Sequence, residues 1–465
     1  MTETLRGKVL QASGFHSPKR GAIEAFCDAL ISIGDDGEIR DFSLPGSAGH
    51  DALLDAARRD DRLVSAPRGS ILLPGFVDLH IHAPQYAQLG SALDVPLEVW
   101  LQKYTFPIEA RYADAAFARR AYAVLVDDLL AAGTTTAMYY GTIHDEANRL
   151  LADLCIAKGQ RALIGKVAMD DPDQCPDYYR DADAAAAVAG TESLIDYIRT
   201  HPDNRDRRVL PVVTPRFIPS CTDGLLEDLG ALARERDCHI QTHCSESDWE
   251  HGYAFTRFGA SDTESLDRFG LLRRGAVLGH CNFLSAADME RIRVREAAVA
   301  HCPLSNAYFS GAVFPLRAAL EKGLHVGLGT DMSAGFAPSI FDSARSAITA
   351  SRMLESGTDP DLAQDTRSRH AGVRIDFRDA FHLATAGGGA ALDLPIGVFR
   401  PGFRFDAMLI DPQAPAGSIR LWPEIDDGEQ ILQKILFTAS RANIERVWVD
   451  GLARSGTATA AVGLG

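Results

Sequence analysis

Along the middle of the chain, short and nearly continuous apolar runs alternate with longer stretches whose apolar residues recur at helical spacing. Eight such runs can be read: LLPGFVDLHIH from Leu72, TTTAMYYG from Thr134, ALIGKVAMD from Ala162 and VLPVVTPRF from Val209, then HIQTHCSE from His239, AVLGHCNF from Ala276, AAVAHCP from Ala297 and HVGLGTD from His325. AAFARRAYAVLVDDLLAAG and DGLLEDLGALARERD, lying between runs, suit helices. Uninterrupted apolar strands separated by helices predict a parallel sheet covered on both faces. Eight units predict closure into a (β/α)8 barrel of the TIM type, an α/β fold, over residues 71–395.

The two ends have another rhythm. VLQASGF, ALISIGDDGEIRDF and DRLVSAP within residues 1–70 are β-rich, with Asp35-Asp36-Gly37 as a hairpin turn. FDAMLIDP, ILFTAS and RVWVDGLA within 396–465 alternate apolar and polar positions in short runs. Together they predict a small β-sandwich built from both chain ends. DADAAAAVAG is expected as a helix start or loop, and Gly387-Gly388-Gly389 as a turn.

Composition narrows the function classes. Hydrophobic residues form 46% and charged residues 24% of the 465, the balance of a globular protein. The net charge of −16 repels phosphate backbones, so no nucleic-acid partner is expected. No run reaches the ~18 apolar residues of a membrane span, and MTETLRGKVLQASGF lacks the apolar core of a signal peptide. The expected compartment is the cytoplasm. Eight cysteines contain no C-x-x-C pair and are expected to be buried and reduced.

The polar residues gather at the C-terminal ends of the apolar runs, the catalytic face of a barrel. His80 and His82 are two apart on a strand end, so both imidazoles share a face. With His243 and Asp331 each ending a later run, three nitrogens and a carboxylate can converge on one divalent ion. Glu246 follows His243 by three residues and suits proton transfer to and from a metal-activated water, or else begins a helix in solvent. His280 can hydrogen-bond the attacking oxygen or the departing group; His301 either orients neighbours or fills core. Arg216 is either a ligand contact or an ordinary salt-bridge residue, and Trp100 and Tyr104 either line the pocket or pack inside.

PGFVDLHIH, THCSE, LGHCNFLS, HCPLSN and GLGTD resemble the successive strand-end motifs of the amidohydrolase superfamily. More narrowly, HIHAPQYAQLG, DVPLEVWLQKYTFP and VTPRF are similar to guanine deaminases, the likeness running from about Leu72 to Ser339. The resemblance implies one zinc ion per subunit on His80, His82, His243 and Asp331. It also implies a proton shuttle at Glu246, catalytic help from Asp331 and His280, and purine contacts from Gln85, Arg216, Phe217 and His243. Binuclear relatives bridge two metals with a modified lysine ending the fourth strand; VLPVVTPRF has none, and Lys166 lies on the third run. The implied reaction is hydrolysis of guanine to xanthine and ammonia by a homodimer. Alternatives are isoxanthopterin, 8-oxoguanine, another aminopurine or a triazine as substrate, or opening of a cyclic amide. FGASDTESLDRFG is an acidic stretch expected near the pocket.

Overall fold

The computed structural model describes residues 4–368 and 370–455. At the N-terminal end, β1 (Val9–Lys19), β2 (Ala22–Ile33) and β3 (Ile39–Ser43) form antiparallel pairs, followed by the short β4 (Leu63–Ser65) and by β5 (Ile71–Pro74). Asp36 and Gly37 turn the chain between β2 and β3, Gly37 at a φ of 85° that only glycine adopts freely.

The barrel follows: β6 (Phe76–His82), β7 (Thr134–Tyr140), β8 (Arg161–Gly165) with its two-residue continuation β9 (Val167–Ala168), β10 (Val209–Pro215), β11 (His239–Cys244), β12 (Ala276–His280), β13 (Ala298–His301) and β14 (His325–Leu328). Among the described residues, eight main strands run parallel in the order β6-β7-β8-β10-β11-β12-β13-β14. Just beyond β14 the seam closes: Asp331 N–H donates to His80 O at 2.8 Å and His82 N–H to Met332 O at 3.1 Å. Val77, Leu79, Met138, Leu163, Val212, Val277 and Ala298 come from six strands into one buried cluster, which fills the barrel. The two helical stretches read from sequence are helices Ala115–Ala131 and Asp223–Glu235, capped by the side chains of Asp114 and Thr222.

At the C-terminal end, β15 (Ala407–Ile410), β16 (Ile444–Val449) and β17 (Leu452–Ser455) complete the small sheet, in the order β17-β16-β15-β5-β1-β2-β3. The two chain ends therefore do meet in one β unit. The sheet forks at β1, which pairs with β4 along Val9–Gln11 and with β5 at Gly14. An apolar cluster including Leu10, Phe26, Ile31, Leu72, Leu409 and Trp448 spans both arms. Since β5 lies between β1 and β15, we place the boundary between the β unit and the barrel at Gly75 rather than at residue 70.

Two local expectations are corrected. ILFTAS is not a strand: it lies at the end of helix Gly428–Thr438. Ile431, Leu432, Ile435 and Leu436 form its helical stripe, a period invisible in a six-residue window. The glycine triplet is not a turn either but part of helix Ala386–Ala391. A Cβ on Gly388 would stand 2.6 Å from Val77 Cβ, so the glycines let this helix press onto β6. DADAAAAVAG does begin a helix, at Ala184. Seven cysteines are buried, Cys27 is exposed, and all eight are free. Among the described residues, no helix is long and apolar enough to cross a membrane.

Candidate active site at the mouth of the barrel

His80 and His82 end β6, His243 lies near the end of β11, His280 ends β12, and Asp331 follows β14. Alternation along β6 sends both of its imidazoles to the same side. The sites are tight: a Cβ on Gly279 would sit 2.7 Å from His80 Cε1, and one on Gly329 2.8 Å from His80 Cβ. Several strand ends turn through left-handed backbone at residues other than glycine, with φ of 48° at Ser245, 68° at His280, 58° at Cys281 and 48° at Asp331. Such conformations cost on the order of 1–3 kcal/mol each and persist where surrounding contacts impose them.

The four expected ligands are brought together. His82 Nε2 lies 3.0 Å from His243 Nε2, and Asp331 Oδ1 lies 3.3 Å from His80 Nε2 and 3.4 Å from His82 Nε2. Metal–ligand bonds of about 2.0–2.1 Å at tetrahedral angles separate neighbouring donors by roughly 3.3–3.4 Å. The group therefore has the dimensions of a single-ion site. Its chemistry fits as well. Burial first, and neighbouring imidazoles second, hold His80, His82 and His243 well below the ordinary histidine range, so their nitrogens carry lone pairs at neutral pH. His243 Nδ1 donates to Arg216 O at 2.6 Å, which leaves Nε2 as the free acceptor facing the group. His80 Nε2 is buried without a hydrogen-bond partner, a costly state for a polar atom unless something binds it.

Beside this group lie Glu246 and His280. His280 Nε2 is 3.7 Å from Glu246 Oε2 and 3.8 Å from Asp331 Oδ2, close to both carboxylates but beyond a direct hydrogen bond to either. Glu246 is buried rather than solvated, and burial, then the charge of Asp331, push its carboxyl well above the usual range against the pull of Arg216. His280 Nδ1 donates to Asn306 Oδ1 at 3.0 Å, Asn306 donates to Asn282 Oδ1 at 2.7 Å, and Asn282 donates to Glu246 O at 2.8 Å. One relay thus ties the imidazole to the backbone of Glu246. Behind His80, Asp78 accepts from His80 N–H at 3.1 Å and from Thr330 Oγ1 at 2.5 Å, tying β6 to the loop after β14. Burial raises Asp78 to about 7 despite those bonds.

A pocket opens onto this cluster, lined by His82, Gln85, Leu97, Trp100, Leu101, Arg216, Phe217, His243, Glu246, Asp331 and Ala334. Apolar walls with a few convergent polar groups are the lining of a small-molecule site. Gln85 stands in the turn Ala83–Gln88 after β6; Arg216 and Phe217 follow β10. Arg216 is buried and paired with Glu109, its Nη1 and Nη2 at 2.6 and 3.1 Å from the two carboxylate oxygens. Trp100 lines the pocket and packs on Phe309 at 5.0 Å. Tyr104 does not line it and packs among the neighbouring apolar residues. His301 lies outside the ligand group, its ring 5.3 Å from Phe314, and burial, then His280, lower it to about 3. Lys166 pairs with Asp181 at 2.6 Å. The acidic stretch reaches the site's support through Asp262, which accepts from Ser245 Oγ at 2.8 Å.

Asp78, Glu109, Asn282 and Asn306 were not singled out from sequence. Three of them stand inside the motifs PGFVDLHIH, LGHCNFLS and HCPLSN, and Glu109 follows KYTFP by two residues, an acid in an aromatic setting.

Residues 71–453 match the model of the Amidohydrolase family. A guanine deaminase of Dictyostelium discoideum is 34% identical, the alignment covering 96% of this chain and 97% of the relative. Human guanine deaminase is 34% identical over 95% of each chain. The crystal structure of guanine deaminase from C. acetobutylicum with bound guanine superposes with a TM-score of 0.84 at 28% identity, covering 96% of this chain and 99% of that one. With the barrel, the strand-end histidines and matches of this extent in agreement, the chain belongs to the amidohydrolase family and stands among its guanine deaminases.

Proposed function

We propose that the protein hydrolyses guanine to xanthine and ammonia, using one zinc ion held by His80, His82, His243 and Asp331. One observation carries the proposal: the ion-sized group, a buried carboxyl at Glu246 and the polar groups of Gln85 and Arg216 all meet at one pocket. The similarity to guanine deaminases, one of them with guanine bound, supports the choice of base.

Zinc at this site supplies a Lewis acid that brings the pKa of water to about 7. The chain does the rest. Arg216 and Gln85 hold the polar edge of the base, and Phe217 packs on its ring, so that C2 lies towards Glu246. Glu246 takes a proton from the attacking water and gives it to a ring nitrogen as the new C–O bond forms at C2. His280 Nε2, oriented by Asn306, accepts a hydrogen bond from the attacking oxygen, and Asp331 lies on its other side. Glu246 then carries the proton remaining on oxygen to the C2 amino group, which leaves as ammonia as the xanthine carbonyl forms. The proposal includes a cytoplasmic homodimer, whose assembly sedimentation would test.

Glu246→Gln is expected to retain stoichiometric zinc while lowering kcat about 10²-fold or more, the scale of general acid–base catalysis. Turnover close to wild type would remove Glu246 from the mechanism. Ammonia release should be measured across guanine, isoxanthopterin, 8-oxoguanine, adenine and cytosine with metal analysis in parallel; a base other than guanine processed fastest would overturn the substrate assignment.

Gly279→Ala should weaken metal retention without removing any donor, because the added methyl displaces His80. Dialysis against a graded chelator would read this as loss of metal at about tenfold lower chelator concentration, the lower end of what disturbed support around a ligand costs. Unchanged retention would mean that the imidazole has room to move.

A further inference from the structure

We propose that Glu109 is the positioning residue that sets which purine the site accepts: its carboxylate fixes Gln85 and Arg216 in one array that requires a ring carbonyl. The inference rests on the purine reading of the same site.

Glu109 belongs to the helical turn Phe106–Ala110, is fully buried and does not line the cavity, whereas both of its partners do. Its Oε1 accepts from Gln85 Nε2 at 2.8 Å and from Arg216 Nη2 at 3.1 Å, and its Oε2 accepts from Arg216 Nη1 at 2.6 Å. Phe106 covers the guanidinium at 4.9 Å from its ring centre. Gln85 is fixed from the other side, where Ser333 N–H approaches its Oε1 at 3.4 Å. The two-pronged pairing uses one N–H from each terminal nitrogen of Arg216 and sets the plane of the group. The remaining N–H groups can only donate, so what meets them must be an acceptor. A purine carbonyl satisfies them. An exocyclic amino group at that position places donor against donor in a buried site, the arrangement that discriminates most strongly between similar ligands.

A purely structural role explains the pair less well. A buried ion pair is often no more stabilising than apolar residues of the same volume, because both charges lose water. This one stands directly behind two pocket-lining side chains and ties them to the wall that carries Leu97, Trp100 and Leu101.

The test measures competitive inhibition by hypoxanthine, which carries the ring carbonyl, and by unsubstituted purine, which lacks it, on the metal-loaded enzyme. Glu109→Gln should weaken hypoxanthine about tenfold or more, the scale of a hydrogen bond to a charged group, and purine less than about twofold, with zinc content unchanged. Adding Glu109→Gln to the double variant Gln85→Ala, Arg216→Ala should weaken hypoxanthine no further, since Glu109 acts through those two side chains. Equal weakening of both ligands, or additive effects, would overturn the proposal. If Glu109→Gln does not fold, Glu109→Asp is read the same way: preferential weakening of hypoxanthine supports the proposal, and equal weakening refutes it. Wild-type enzyme that releases no ammonia from guanine would instead defeat the proposed reaction, a result separate from either inhibition outcome.

Discussion

His82→Ala is expected to purify with less than about a tenth of the metal of the wild type, since a metal site owes its affinity to its full set of ligands. His82 Nε2 faces both His243 Nε2 at 3.0 Å and Asp331 Oδ1 at 3.4 Å, so its loss opens the centre of the group rather than its rim. Turnover should fall at least as far as the metal, by more than about tenfold. Water at its bulk pKa of 15.7 is ionised to only about two parts in 10⁹ at pH 7, against about half when the pKa is near 7. Elemental analysis after dialysis, with kcat on the same sample, reads both quantities. Stoichiometric zinc in the variant would remove His82 from the ligand set. Because His82 is buried at the mouth, away from the cluster that fills the barrel, circular dichroism should remain that of the wild type.

The second large effect lies at the opposite end of the barrel. Asp450 is buried in the turn between β16 and β17, where Oδ1 accepts from Arg161 Nη2 at 2.7 Å and Arg404 Nε at 2.6 Å, and Oδ2 from Arg208 Nε at 2.8 Å. Arg161 opens β8 and also pairs with Asp406 at 2.9 Å, so this network fastens the small sheet to the barrel. Asp450→Asn leaves three guanidinium groups short of a negative charge and should cost about 3–5 kcal/mol, the scale of breaking a buried ion pair. Burial alone would raise the Asp450 carboxyl, but Arg161, Arg404 and Arg208 outweigh it and hold it far below the usual aspartate range. A group whose folded pKa is depressed stabilises fully above its unfolded value of about 3.9 and loses that contribution as pH falls through the folded one. The gap between wild type and Asp450→Asn should therefore be widest near pH 7 and shrink below about pH 4. Denaturation midpoints at both pH values would show this, and a gap independent of pH would mean that Asp450 acts through shape rather than charge. Zinc content should not change, because the network lies at the non-catalytic end.

The cluster at the barrel mouth was legible in the sequence because each member ends an apolar run, and a parallel barrel brings all such ends to one face. His80, His82, His243, His280 and Asp331 needed no more than that rule. Glu109 could not be found in this way. It ends no strand, and its partners Gln85 and Arg216 lie 24 and 107 residues away, so only the folded chain shows what it holds. Asn282 and Asn306 lie within the strand-end motifs LGHCNFLS and HCPLSN, but a relay of amides leaves no spacing signature. The helix Gly428–Thr438 and the glycine-bearing helix Ala386–Ala391 were hidden for a related reason. Their local composition suggests strand and turn, and tertiary packing against neighbouring elements decides otherwise.

The position of β5 has a bearing on synthesis. Its hydrogen-bonding edge is occupied by β15, which begins at Ala407, while β5 itself ends at Pro74. At about 5–20 residues per second, a ribosome takes roughly 15–70 s to translate the intervening segment. Throughout that interval the nascent polypeptide displays an uncapped apolar ribbon, Ile71 to Leu73, of the kind that recruits foreign strands. Chains terminated before Ala407 keep that ribbon bare permanently, which makes them targets for chaperones and for self-association even when every barrel strand has been made.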